Sequence, residues 1–497
     1  MSVCGISPGI GRLNSYWGNN MAKQIDHKAG RVQNSKGRAK SADSQNTRYA
    51  VIVVVTLLSF FVLLDMPIIR SDGLAYYMWL ESLVVDHDLD LGNQMAHYQP
   101  LVKYQAFYYA PTGQYASSFP FGAAFLWGPF YWLSLGLDKL PIVHVNDAYF
   151  LQLQGDILIH SLGVTMGTNF YALLTALMVF YLARRWVSDP IAAFVVLATF
   201  LGTSQLYYST IEPSMTHALA AFVLTLLIYL YITRGSQTTW WFVMGLVLGL
   251  ATTIRWQAAL YGLPFGVLLL ATKRIRSFVF FSLGFMVLAW SVPYAWYLMF
   301  GTPFVVPASV QSPWFSLHAP KFVPEILFSL RRGLFMWSPI ALLGLCGLYP
   351  LFYKDRSLSS IMIAMFVIQT LMNASVRDWW AGWSFGMRRM ADLYPVFALG
   401  LAALLGWARE RPFVVQPHLT RVLRWSGPMT LILGVSGICV AYTLLLMVTY
   451  AANMIHPDIG TVTDALAYWF TAPNPRAVVE TMIDERYGLL TWLRTHW

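Results

Sequence analysis

Hydrophobic and polar positions in this 497-residue chain alternate by whole segments. Apolar runs of roughly bilayer-spanning length, about 17–25 residues for a helix, occupy 49–69, 163–183, 191–208, 216–233, 239–254, 257–272, 278–300, 333–352, 359–375, 391–408 and 427–450. Short polar or basic links separate most of them. The pattern predicts an all-α polytopic membrane protein with about 11 transmembrane helices. One further stretch, 119–137 (FPFGAAFLWGPFYWLSLGL), is equally apolar but is interrupted by Gly and Pro and rich in aromatics. It is read as an interfacial or re-entrant helix.

Charge sets the orientation. If the eleven spans alternate, 20 of the 33 Lys and Arg fall on one side. They are the eight before residue 49, Arg184, Arg185, Arg234, Lys273, Arg274, Arg276, Lys354, Arg356, Arg409, Arg411, Arg421 and Arg424. The positive-inside rule makes that side cytoplasmic, with the N-terminus in and the C-terminus out. Making 119–137 a span would put Arg184 and Arg185 outside and invert every later link. The expected organisation is a disordered basic cytoplasmic tail over 1–48, a transmembrane module over 49–450, and an external tail over 451–497. Within the module, 70–162 forms a long first external loop carrying interfacial helices, and 301–332 forms a second external loop.

Composition agrees. The chain is 57% hydrophobic and 11% charged, against about 25% charged for a soluble domain. The net charge of +10 does not point to nucleic acid, because it sits in short links between spans. Cys4, Cys346 and Cys439 give neither a disulfide framework nor a zinc spacing.

In this topology Asp72, Glu212, Arg255, Arg331, Arg332, Arg377, Arg388 and Arg389 all lie at outer ends of apolar runs. Charge at a span end is costly unless paired or in use. The set therefore predicts a site at the membrane surface that holds something anionic. Leu74, Tyr77, Met78, Leu80 and Val84 have helical spacing and predict an amphipathic helix on the outer leaflet. Asp72 at its start reads either as a cap or as a carboxylate held at headgroup level beside Arg70. Asp65 is a second carboxylate near the end of the first run. Asp86, Asp88 and Asp90 read as a solvated turn or as ligands for a divalent cation. Glu212 and His217 bracket the start of a span, as metal-site groups or as satisfied polar groups. Trp379, Trp380 and Trp383 read from the residues alone as interface anchors. Gly245 and Gly249 have the spacing of close helix packing.

Several segments together resemble the GT-C-type polytopic glycosyltransferases, a superfamily that includes protein O-mannosyltransferases and aminoarabinose transferases. These are the first run ending near Asp72 and followed by the Asp-rich turn at 86–90; Tyr207-Tyr208-Ser209 through Glu212, Pro213 and His217; and Arg255 within GLATTIRWQAAL. Further on are Arg331-Arg332-Gly333-Leu334-Phe335 leading to Ser338-Pro339, and the run from Trp379-Trp380-Ala381-Gly382-Trp383 to Arg388-Arg389. The resemblance covers roughly 50–410. The Asp-Glu pair common in the mannosyltransferases is missing, because Gly73 follows Asp72.

The resemblance implies transfer of a sugar from a polyprenyl-phosphate donor to an acceptor lipid, glycan or protein, on the external or periplasmic face of a bacterial inner membrane. Asp72 would then be the general base of an inverting reaction. Arg388, Arg331, Arg332 and Arg255 would bind the donor phosphate, and Trp379, Trp380, Trp383, Glu212 and His217 would contact sugar or acceptor. The only cofactor allowed for is a divalent metal. Two other functions are weighed. A transporter or flippase for a lipid-linked or anionic substrate is disfavoured because the charges sit at one face and the long first loop has no counterpart later. A lipid-linked polysaccharide ligase or polymerase is disfavoured by the early position of that loop.

Overall fold

In a computed structural model, residues 47–67, 69, 72–98, 106–138, 158–305, 319–410, 427–452 and 454–471 are described. Residues 1–46 of the basic tail, Arg70 and the last part of the external tail lie outside them. The chain divides into two compact units, Met1–Ile52 and Val53–Trp497. Everything below concerns the second.

The protein is helical and polytopic. After the first helix (α1, Thr47–Leu64) come α2 (Asp72–Glu81), α3 (Gly92–His97), a small antiparallel hairpin (β1, Phe107–Tyr109; β2, Gln114–Ala116) and α4 (Ala123–Asp138). The long run of membrane helices follows: α5 (Leu158–Ala183), α6 (Asp189–Leu201), the short α7 (Gln205–Thr210), α8 (His217–Arg234), α9 (Trp240–Ile254), α10 (Gly262–Ala271), α11 (Ile275–Ala289) and α12 (Ser291–Phe300). The last third contains α13 (Val323–Phe328), α14 (Leu334–Trp337), α15 (Ile340–Lys354), α16 (Arg356–Ala374), α17 (Tyr394–Arg409), α18 (Pro428–Ala451) and α19 (Val462–Thr471).

Each of the eleven predicted runs contains a helix. Among the described residues, seven helices are long and apolar enough to cross a membrane: those within Thr47–Leu64, His160–Ala183, His217–Arg234, Ile275–Phe300, Arg356–Ala374, Arg388–Arg409 and Pro428–Ala451. The runs around 191–208, 239–254, 257–272 and 333–352 form shorter apolar helices, as does the 119–137 segment.

Helix packing follows from small residues. α9 lies along α11, and α15 along α17. A Cβ on Gly245 would sit 2.1 Å from the Phe281 carbonyl oxygen, and one on Gly284 would sit 2.0 Å from that of Phe242. The α9–α11 pair is therefore in backbone contact, as the Gly245/Gly249 spacing suggests.

Four tryptophans, Trp79, Trp127, Trp241 and Trp337, are wholly buried. Each donates its indole N–H to a protein oxygen: Phe119 O at 2.9 Å, Thr168 Oγ1 at 2.9 Å, Gly235 O at 2.9 Å and Leu330 O at 3.1 Å. A buried indole needs that partner. Part of the chain's tryptophan content thus builds the core and not the interface.

The helix predicted after Asp72 exists, but it does not lie on the leaflet. All residues from Gly73 to Leu80 are buried, on every face. Leu, Tyr, Met and Trp surround α2 almost completely, and a helix apolar all round belongs inside a protein. α2 packs against α4, which packs along α5. At its far end Glu81 accepts from Tyr98 Oη at 2.7 Å. Burial raises the Glu81 carboxyl above its ordinary range, and the Tyr98 bond offsets part of that shift.

Candidate active site

Two irregular segments build the site. α9 stops at Ile254, Arg255 takes an extended conformation (φ −144°, ψ 104°), and a 3₁₀ turn over Trp256–Tyr261 follows. The break turns Arg255 inward. Later in the chain, α16 gives way to a loop in which Ala381 (φ 62°), Gly382 (φ 62°) and Gly386 (φ 58°) are left-handed. Ala381 is strained there, since only glycine adopts this region freely. The loop leads into a 3₁₀ turn over Arg388–Leu393 that packs on α8. Tyr208 fixes the loop by donating to Phe385 O at 3.3 Å and accepting from Phe385 N at 3.1 Å.

Between these segments and the start of α2 lies a cavity of about 290 Å³. Its polar lining is Asp72, Tyr76, His217, Arg255, Gln257, Asn373, Asp378, Arg388 and Arg389; Phe119, Pro120 and Trp256 are among its apolar walls. Arg388 Nη2 donates to Asp72 Oδ2 at 2.7 Å, and Arg389 Nη2 donates to Asp378 Oδ2 at 2.8 Å. Two successive arginines thus hold two carboxylates from distant parts of the chain. The Asp72 carboxylate accepts from Arg388 and, among the described residues, from no helix N–H. Its Oδ1 accepts no hydrogen bond from the described residues.

Arg255 differs from the other two arginines. It is 7% exposed, lines the cavity, and makes no ion pair among the described residues. Its hydrogen-bond partners are neutral, although its charge also acts on the buried Asp392 carboxylate. Nη1 lies 2.9 Å from His217 Nδ1. A guanidinium only donates, so Nδ1 accepts and the imidazole is neutral with its proton on Nε2. With its amide oxygen toward Arg255, Gln257 accepts from Nη2 at 3.1 Å and from Nε at 3.2 Å. The cavity therefore sets three guanidinium groups against two carboxylates. Burial raises the Tyr76 phenol above its ordinary range, the Arg255 charge working against that shift, so Tyr76 enters the cavity as a hydrogen-bond donor.

Of the site residues singled out in the sequence, Asp72, His217, Arg255, Arg388 and Arg389 meet in this cavity, whereas Glu212, Arg331, Arg332, Arg377, Trp379, Trp380 and Trp383 do not line it. Glu212 acts on Arg388 and Tyr208 through its charge from behind. Arg331 donates to Asp458 O at 2.8 Å and to Asp458 Oδ1 at 2.9 Å, and lies 4.1 Å over the Trp380 ring. Arg332, with no exposed surface, donates to Gly460 O at 2.8 Å and Pro457 O at 2.5 Å, against the rings of Trp337 and Tyr450. These two arginines anchor residues 457–460. Trp380 donates to Asp458 Oδ1 at 3.0 Å, Trp379 meets Trp380 edge-on, and Trp383 is 65% exposed.

Asp378, Gln257 and Asn373 were not picked out in the sequence. Asp378 had one signal there, an acidic residue ten positions before an Arg-Arg pair.

No three His, Cys, Asp or Glu side chains converge among the described residues. Asp86, Asp88 and Asp90 bind their own turn: Asp86 accepts from Asn93 at 2.8 Å, Asp88 from Ser82 Oγ at 2.9 Å, and Asp90 from Gly92 N at 3.0 Å. Asp65 accepts from Asn169.

No protein-family model matches the chain, and no curated protein sequence matches it significantly. Solved structures do. ArnT from Cupriavidus metallidurans bound to undecaprenyl phosphate aligns at 14% identity and TM-score 0.42, over 90% of this chain and 75% of that one. The oligosaccharyltransferase AglB from Archaeoglobus fulgidus, in complex with an inhibitory peptide and a dolichol-phosphate, aligns at 12% identity and TM-score 0.46, over 89% of this chain and 60% of that one. Both are GT-C glycosyltransferases, the class that the sequence motifs resemble. This chain spans 75% of the length of the first and 60% of the second.

Proposed function

We propose that the protein transfers a sugar from a polyprenyl-phosphate donor to a hydroxyl or amine acceptor, in a cavity facing the external side of the membrane. The supporting observation is Arg255, a buried cavity-lining guanidinium that hydrogen-bonds only neutral groups and makes no ion pair among the described residues. Burying such a charge costs several kcal/mol (order of magnitude) unless an anion answers it. A donor phosphate is that anion, and guanidinium groups match its oxygens.

In the proposed step the acceptor attacks the anomeric carbon and its proton passes to Asp72 Oδ1. The bond from that carbon to the phosphate oxygen breaks, and the electron pair leaves on the phosphate. Arg255 and Arg388 stabilise the charge as it grows. A single displacement inverts the anomeric centre. Arg388 orients Asp72 through Oδ2, leaving Oδ1 for the substrate. The outward orientation follows from the bias of basic links, and in a bacterium it would face the periplasm. Trp383, exposed in the loop before Arg388, is available to stack on a sugar or acceptor. Arg331 and Arg332 are left out of phosphate binding because 457–460 occupies them.

The test is transfer in proteoliposomes with a panel of radiolabelled polyprenyl-phosphate sugars and a crude envelope extract as acceptor. Wild type is expected to transfer one donor, and Asp72→Asn to lose about 10²–10⁴-fold in rate. Folded wild type that transfers none of the donors would remove the reading. Full activity in Asp72→Asn would remove the base.

A further inference from the structure

A second cavity, again about 290 Å³, lies at the other end of α8. His217 opens that helix in the first site, and Tyr231, Ile232, Gly235 and Ser236 near its end line the second. Seventeen helical steps separate the helix ends by about 25 Å. The remaining lining comes from Arg185, Leu268, Leu269, Thr272, Arg274, Asp355 and Ser357.

Near this cavity Arg184 pairs with Asp189 at 2.7 Å and Lys354 with Glu410 at 2.7 Å, while Arg234, Lys273 and Arg356, next to lining residues in the chain, make no ion pair among the described residues. Arg274 is rigidly held, donating to Gly235 O at 2.8 Å and Ser236 O at 3.1 Å with its guanidinium 5.6 Å from the Trp241 ring. Those carbonyls leave its positive charge unneutralised. Arg185 is exposed on another wall. Asp355 accepts from Leu358 N at 3.0 Å as the cap of α16, and no ion pair joins it to Arg185 or Arg274 among the described residues. Two cations and one anion thus share one small cavity without meeting. Beside it, the outer surface of α10 is apolar and open, with Leu263 58%, Val267 66% and Leu270 48% exposed.

We propose that this cavity seats the phosphoethanolamine headgroup of a membrane lipid, its phosphate between Arg185 and Arg274 and its ammonium against Asp355. A purely anionic headgroup would leave Asp355 facing like charge. A choline headgroup has no N–H to donate to the carboxylate. The apolar flank of α10 gives the acyl chains a surface, which a soluble phosphoethanolamine would not use.

The test uses the whole protein, delipidated in detergent, with thermal stability and native mass spectrometry read against added phosphatidylethanolamine, phosphatidylglycerol, phosphatidylcholine and free phosphoethanolamine. Phosphatidylethanolamine is expected to bind about tenfold more tightly than either other lipid, the worth of one ammonium–carboxylate contact. Asp355→Asn keeps the helix cap, since Asn caps as well as Asp. It is expected to abolish the preference over phosphatidylglycerol while leaving the fold intact. Arg185→Gln, at an exposed position, is expected to weaken all three lipids. Equal binding of the three lipids by wild type, or an unchanged preference in Asp355→Asn, would overturn the headgroup assignment. Free phosphoethanolamine binding as tightly as the lipid would overturn the lipid as its source.

Discussion

Arginines 255 and 332 are both buried at a helix boundary, and the sequence alone offers no way to rank them. Their partners separate them. Arg332 donates to main-chain carbonyls of residues more than a hundred positions away, whereas Arg255 finds only a neutral imidazole and an amide. Removing Arg332 leaves the Gly460 and Pro457 carbonyls without their donor, at about 1–3 kcal/mol for each buried group left unpaired. The Arg255 side chain bonds no main-chain carbonyl among the described residues, so its removal unpairs none and relieves the desolvation of the charge. Arg332→Met is therefore expected to lower the midpoint of thermal unfolding sharply. Arg255→Met should leave that midpoint unchanged or higher while transfer falls by about 10²-fold or more. Unfolding scans and transfer rates on the two variants check the contrast. Residue types at span ends were legible in the sequence. Their assignment to substrate or to scaffold was not, because it depends on partners that only the folded chain brings near.

At the scale of elements, segment hydropathy placed a helix in each predicted run, since twenty apolar residues have few alternatives in a bilayer. The misreading of α2 is instructive. The apolar spacing predicts an amphipathic helix, but Ala75, Tyr76 and Trp79 fill the face that would have been polar. The sequence marks breaks at Arg255 and before residue 391, but not that each break is a 3₁₀ turn that aims its arginine inward, because local composition does not distinguish such a turn from a plain link. The start of α2 explains the missing Asp-Glu pair. A Cβ on Gly73 would lie 2.1 Å from Ser214 Oγ and 2.8 Å from Ser214 Cβ, so no larger residue fits while Asp72 reaches Arg388. Gly73→Ala is expected to cost about 1–3 kcal/mol and to reduce transfer by displacing Asp72. Adding Ser214→Gly removes both clashing atoms, and the next contact, at 3.4 Å, is ordinary. The double variant should recover stability and transfer together, a coupling that a double-mutant cycle reads directly.

The whole molecule ties its site to its C-terminal segment. Residues 454–460 follow the last long apolar helix, and the sequence presented them as the start of a short external tail. In the fold, Asp458 binds Arg331 and Trp380 at once, and Trp380 belongs to the strained loop that ends at Arg388 and Arg389. That loop is therefore fastened from two sides: by Tyr208 at Phe385 and by Asp458 at Trp380. A side chain must be held to within a fraction of an ångström to act on a reacting atom, and small displacements from afar can cost large factors in rate. Asp458→Ala releases the second fastening without touching the cavity. The ion pair it breaks is part-exposed, at 24% and 32%, so unfolding should shift by no more than about 1 kcal/mol. The transfer rate at saturating donor is expected to fall several-fold, because the loop is then free to let Arg388 leave Asp72. Asp458→Asn can still accept from Trp380 and should restore much of the rate although it carries no charge. An unchanged rate in Asp458→Ala would mean that Tyr208 alone fixes the loop, and that the C-terminal segment serves the scaffold and not the site.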